Sequence, residues 1–222
     1  LADALAALHA YQFPVMWNDT TIAYYKAVAP KNEGALGKAM ADYAANPKDE
    51  AAVAVLSAES GEVGKLRTTC VATMLRGGHA ENALPQSATA TVNCRIFPGH
   101  AVDDVKATLQ QVAGDKVTVT TIGKPFPAPA SPLRQDVLDA VTYAVHTLHP
   151  GVPIVPSQSS GASDGIYFRA GGIPTYGTGS SFIKDSDSFQ HGLNERLPVK
   201  SFYQDLRHWD LLIKALAAPK PK

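Results

Sequence analysis

Thr89-Ala90-Thr91-Val92-Asn93-Cys94-Arg95-Ile96 alternates polar and apolar residues, the period of a strand with one buried face. Residues 66–75 have the same strand-favouring composition, so the two segments should pair. Their connection, Gly77-Gly78-His79-Ala80-Glu81-Asn82-Ala83-Leu84-Pro85-Gln86, is longer than a tight hairpin needs. Long polar loops on a rigid pair of strands are favoured places for function. Working outward, residues 102–113, introduced by Asp103 and Asp104, predict a helix, and Lys116-Val117-Thr118-Val119-Thr120-Thr121-Ile122 predicts a further strand. On the other side, Leu1, Leu5 and Leu8 share one helical face, and the helix reads as already under way at residue 1. Helix, strand, strand, helix, strand is the tail of a ferredoxin-like split unit whose first strand would precede the chain.

Between the first helix and the strands, Phe13-Pro14-Val15-Met16-Trp17 leaves the helical pattern, and residues 35–58 predict two helices broken at Asn46-Pro47. Four prolines in residues 124–132 mark a stiff connector and the best domain boundary. The expected organisation is therefore 1–123, the connector 124–132, and 133–222. In the last block, residues 133–148, 164–170 and 199–216 predict helices, while 153–156 and 173–177 predict short strands. That alternation suggests an α/β layer, incomplete with two short strands.

The chain has 222 residues, 45% hydrophobic, enough for a sizeable core. Lys+Arg and Asp+Glu are 20 each, which gives no electrostatic footprint for nucleic acid, and no apolar run approaches the ~20 residues of a membrane span. Cys70 and Cys94 lie in the two predicted strands, either as small buried thiols or as a cross-strand bridge.

Gly161-Ala162-Ser163-Asp164-Gly165 has the letters of the G-x-S-x-G nucleophile elbow, with Asp185 or Asp187 and then His191 or His208 downstream in the order a serine hydrolase requires. The structural alternative is a turn in which Ser163 caps a helix and Asp164 complements its positive end. His208-Trp209-Asp210 has the form H-x-D, but i and i+2 side chains diverge on a helix, so His208 is expected at the surface, with His146 and His149 on another helix. His9 and His100 have no supporting neighbours in sequence. His191, in Gln190-His191-Gly192-Leu193-Asn194-Glu195-Arg196, sits in a polar loop suited to a metal ligand. Arg95, on a strand of small and apolar residues, needs a carboxylate from the protein or from a ligand.

Gly77-Gly78-x-Ala80-x-Asn82-x-x-Pro85-x-x-Ala88, running into Val92-Asn93-Cys94-Arg95-Ile96-Phe97-Pro98-Gly99, resembles the dimerisation, or lid, domain of the co-catalytic di-zinc metallopeptidases that include glutamate carboxypeptidase, carboxypeptidase S and aminoacylase. Further on, Gly161-Ala162-Ser163-Asp164-Gly165, Gly172-Ile173-Pro174-Thr175-x-Gly177 and His191-Gly192-x-Asn194-Glu195 are similar to that family's C-terminal catalytic segment, in the same order. Each motif alone is weak, and four in order are fairly specific.

The resemblance implies a fold of mixed α/β type, with a ferredoxin-like lid followed by the C-terminal part of a zinc-exopeptidase catalytic domain. It implies that His191 is the last zinc ligand, that Asn82 and Arg95 contact substrate, with Arg95 a fork for its free carboxylate, and that Gly161, Ser163 and Asp164 line the pocket. Glu195 would be a helper or structural partner of the ligand histidine. In such enzymes a zinc-bound hydroxide attacks, with a glutamate as base. The family's other ligands and that glutamate belong upstream of the lid, as does the lid histidine lent across the dimer. The implied parent is a carboxypeptidase-type hydrolase or N-acyl-amino-acid hydrolase, acting on peptide or N-acyl-amino-acid substrates as a homodimer and using two zinc ions. This chain, without the N-terminal catalytic half, is expected to be inactive alone. Residues 13–66 would be an enlarged lid insertion like that of carboxypeptidase S. The rival functions are a non-catalytic dimerisation or binding module, and a serine hydrolase using Ser163.

Overall fold

The computed structural model describes residues 1–125 and 127–218; Phe126 of the proline-rich connector and the Lys/Pro tail lie outside the described residues. The described chain forms helices α1 (Ala2–Ala10), α2 (Asp19–Val28), α3 (Gly34–Ala45), α4 (Glu50–Ala58), α5 (Val63–Leu66), strands β1 (Thr69–Gly77) and β2 (Ala88–Arg95), then helices α6 (Val102–Ala113), α7 (Gln135–Leu148), α8 (Gly165–Ala170) and α9 (Val199–Ala217). No described helix is long and apolar enough to cross a membrane.

The expected strand pair is present. β1 and β2 run antiparallel, with Cys70 opposite Cys94 and Gly77 opposite Ala88, and the register slips between Ala72 and Met74. This bulge bends the ribbon and raises its twist. Cys70 and Cys94 are bridged, their Cα atoms 4.1 Å apart, so the bridge and not a pair of free thiols links the strands. Closing a loop over a separation of 24 residues stabilises by about 3 kcal/mol through the unfolded chain. One face of the ribbon packs on Phe13, Val105 and Leu109, with Leu8 of α1 and Val119 at the edge of the same cluster. The helix–ribbon–helix layer of the mixed α/β reading is therefore built.

The third lid strand is not formed, which corrects the expectation for residues 116–122. The Gln110 side chain occupies their backbone instead: its Nε2 donates to the Gly114 and Val117 carbonyls at 2.9 and 3.0 Å, and its Oε1 accepts from the Val119 amide at 2.8 Å. A backbone so satisfied needs no ladder partner. Residues 153–156 and 173–177 are likewise not strands. At Thr175 a side chain replaces the ladder, because Ser131 Oγ accepts from its amide and donates to its carbonyl.

Residues 13–66 build the largest core. Tyr25 and Tyr43 are fully buried and meet edge to face at 4.9 Å, packed with Met40, Ala52, Leu56 and Leu66. The periodicity predicts α3 and α4 but not α2, whose Asp-Thr-Thr start favours turns by itself. A capping box fixes it: Asn18 accepts from the Thr21 amide while Thr21 Oγ1 accepts from the Asn18 amide. Arg67, buried and without a carboxylate partner among the described residues, donates to Gln12 Oε1 and Ser57 Oγ and so ties the segment after α1 to α4. Burial holds its pKa below the ordinary arginine value.

The chain packs as two compact units that do not follow chain order. Residues 1–131 and 156–175 form the first, and residues 132–155 with 176–222 the second. In the second, α7 packs on α9 through Ala140, Ala144 and Leu212. His208 is fully buried there, not at the surface as expected, because Ser201, His208 and Leu212 share the inner face of α9. His149 meets the Phe182 ring edge to face at 4.6 Å.

Candidate functional site

Within the first unit, the end of β2 and the Ser-rich segment before α8 converge on a cavity of about 460 Å³. This is within the size range of small-molecule sites. Arg95 lines it as the last residue of β2, where the strand ends and its side chain is exposed. Gly161 and Ser163 line the opposite stretch, with Gln158, Ser159 and Ser160. Of the two carboxylate sources open to Arg95, the protein or a ligand, the protein supplies none among the described residues, since no ion pair to it forms there. Its guanidinium, a planar five-donor fork, is exposed at the cavity wall.

The insertion, for which the sequence offers no role, holds this segment in place. Asn18, the cap of α2, donates through Nδ2 to Gln158 Oε1 at 2.6 Å. Gly64 in α5 faces Ser160 so closely that a Cβ there would lie 2.6 Å from the Ser160 Cβ. Only glycine allows that approach. His100, which has no evident partner in sequence, lines the same cavity, shares a hydrogen bond of 2.9 Å between its Nδ1 and Thr68 Oγ1, and meets the Phe13 ring.

Asp164 stands beside the cavity as the residue before α8, in the turn expected from sequence, with the Ile166 amide donating to the Ser163 carbonyl, but the expected side-chain cap bond from Ser163 is not made. No strand precedes Ser163 and its φ is not positive, so the strained strand-to-helix elbow of a serine nucleophile is not built here. Asn82 is exposed on the β1–β2 connection and is not among the residues that line the cavity.

His191 belongs to the second unit. It is the one non-glycine residue with positive φ, 62°, among the described residues, in a tight turn closed by the Gly192 amide donating to the Phe189 carbonyl. Such backbone is uncommon for residues with a Cβ and often accompanies a functional constraint. The turn is braced by Arg196, which pairs with Asp187 at 2.5 Å and lies over the Phe189 ring. Glu195 and Asn194 are exposed. No group of three or more His, Cys, Asp or Glu suited to a metal forms among the described residues, whereas zinc needs three or four ligands. The described residues by themselves do not complete a zinc site.

Residues 1–119, more than half of the chain, match the family described as the peptidase dimerisation domain. The chain belongs to this metallopeptidase family. With its dimerisation domain, the chain is 31% identical over 142 residues to an N-fatty-acyl-amino acid synthase/hydrolase of Homo sapiens, covering 62% of this chain and 28% of that protein. The corresponding Xenopus tropicalis protein is 30% identical over 135 residues, 60% of this chain and 26% of that protein. A probable carboxypeptidase S-like protein of Dictyostelium discoideum is 26% identical over 151 residues, 67% and 29% respectively. Those matches span little more than a quarter of the relatives' own lengths. No solved structure matches the chain.

Proposed function

We propose that the chain is the C-terminal portion of a zinc-dependent exopeptidase or N-acyl-amino-acid hydrolase that cleaves an amide bond next to a free carboxylate. The observation that carries the reading is the cavity in which Arg95, free of any described protein carboxylate, faces the turn of Gly161 and Ser163. Membership of the family and the hydrolase names of the relatives support it. In this reading residues 1–123 are the lid domain, 124–132 the connector and 133–222 the end of the catalytic domain. Arg95 clamps the carboxylate, Asn82 reaches substrate from the lid, and Gly161, Ser163 and Asp164 shape the pocket. His191 supplies one zinc ligand, the remaining ligands and the catalytic glutamate coming from sequence outside these 222 residues, so the chain alone is inactive.

The test uses the longer protein, assayed on an N-acyl-amino acid. Arg95→Ala should raise KM with a loss of about 1.5–3 kcal/mol, the worth of a hydrogen bond to a charged group. His191→Ala should abolish turnover and lower bound zinc. Full activity in His191→Ala, or activity that survives a chelator, would sink the metallopeptidase reading.

A further inference from the structure

We infer that His100 is a further substrate-binding residue, its Nε2–H set by Thr68 to donate to an oxygen of the anion that Arg95 receives. This rests on the reading of Arg95 as a carboxylate clamp and adds a second donor to it. The segment after β2 places the imidazole. In Phe97-Pro98-Gly99-His100 the His100 amide donates to the Phe97 carbonyl at 3.0 Å, and Gly99 has φ 93°. Proline followed by glycine at positive φ is the signature of a type II turn. That turn holds His100 at the cavity that Arg95 also lines.

The tautomer of His100 follows from Thr68, which is 1% exposed. Its hydroxyl oxygen accepts from the Phe97 amide at 3.0 Å and meets His100 Nδ1 at 2.9 Å. A hydroxyl has one proton to give, and Nδ1 is its acceptor here. Were Nδ1 the donor instead, the Thr68 proton would be buried without an acceptor among the described residues, which is costly. The ring therefore carries its proton on Nε2. Its plane is fixed by the buried Phe13, met edge to face with centroids 5.8 Å apart. Nε2 has no protein partner among the described residues and is not buried, so its N–H is free for a ligand. A donor held in this way loses little rotamer freedom on binding.

The test separates the two ring nitrogens. Glutamine carries its amide nitrogen where Nε2 lies and asparagine carries it where Nδ1 lies, so His100→Gln keeps the ligand donor and His100→Asn keeps the tie to Thr68. The 222-residue chain is titrated with N-acetylglycine by calorimetry. His100→Asn should weaken binding about tenfold or more, the scale of a hydrogen bond to a charged group, and His100→Gln should restore affinity to within about threefold. The reverse order would make His100 a structural tie alone, and equal affinity in both variants and the unaltered chain would leave it no role; either overturns the inference. Nitrogen-15 NMR of the unaltered chain decides independently of whether the variants fold: Nε2 should be the protonated nitrogen and its resonance should move as N-acetylglycine is added. A proton on Nδ1, or an Nε2 resonance that stays still throughout the titration, would also overturn it. Arg95→Gln distinguishes this from the clamp: if that variant binds as the unaltered chain does while His100→Asn is weakened, the clamp fails and the His100 contact stands.

Discussion

Ser163 is where two chemistries make opposite demands on one side chain. A nucleophile needs a base within hydrogen-bond reach, about 2.6–3.2 Å, and no described histidine bonds its hydroxyl. In the hydrolase proposed above, Ser163→Ala should leave kcat within about threefold, the scale of a ~0.65 kcal/mol change, and the protein should not be labelled by a fluorophosphonate. Stoichiometric labelling lost in the variant would revive the serine mechanism. Arg95 shows how far a single residue can be read: a guanidinium on a buried strand would need a carboxylate, but at the exposed end of β2 water solvates it, and no ion pair forms among the described residues. His208 shows the opposite. The divergence of its side chain from that of Asp210 argues against a metal pair and for the surface, but a helix assigns faces by rotation, and the residue four positions on, Leu212, shares the buried one.

At the scale of elements, the insertion is a helical buttress with its own core. Its tightest point is Gly37 in α3, where a Cβ would be driven into the Asn32 carbonyl. Gly37→Ala should therefore destabilise by about 1–3 kcal/mol or more, although alanine is the better helix former. Thermal unfolding by circular dichroism would show this, and an unchanged melting temperature would mean that the approach is absent. The Tyr43 phenol, buried and donating to the Met16 carbonyl, is pushed up to about 12 by that burial. Helices with strong periodicity, such as α6, α7 and α9, were legible to within two residues at either end. The strands predicted at 116–122, 153–156 and 173–177 were not formed, because β-propensity describes a surface that fits a sheet, and a sheet also needs a neighbour. Where Gln110 or Ser131 satisfies the backbone first, no ladder is required.

For the whole molecule, pH and self-association are the informative variables. Burial, chiefly, holds His208 below its ordinary value of 6.5; His149 adds to the depression and Asp205 opposes it. Its Nδ1 and the His149 Nε2 are buried without partners among the described residues. The unfolded imidazole takes a proton near pH 6.5, the folded one only at lower pH. The unfolded state then binds more protons as pH falls below about 6.5, so the stability of the second unit is complete above that value and is lost on acidification towards the folded pKa. Melting temperature should fall between pH 7 and pH 5, and His208→Gln should flatten the profile; a slope unaltered in that variant would assign the effect elsewhere. Val71, Met74 and Leu75 of β1 are half to two-thirds exposed, and β1 pairs only with β2 among the described residues. Exposed apolar strand edges favour pairing with a second copy. Sedimentation should show a dimer that Leu75→Glu converts to monomer, and a monomer at all concentrations would remove the lid as the dimer interface.

Periodicity by itself determined the two strands, their pairing and the long helices, because these follow from local backbone preference and from which residues recur on one face. The ordered motifs, in turn, pointed to the family. The tertiary structure alone decided that residues 156–175 pack with the first unit, that Asn18 and Gly64 hold the Ser-rich segment opposite Arg95, and that His208 is buried. Each is a contact between residues far apart in the chain, fixed by complementary shape and by the satisfaction of buried polar groups, neither of which is written in any one stretch of sequence.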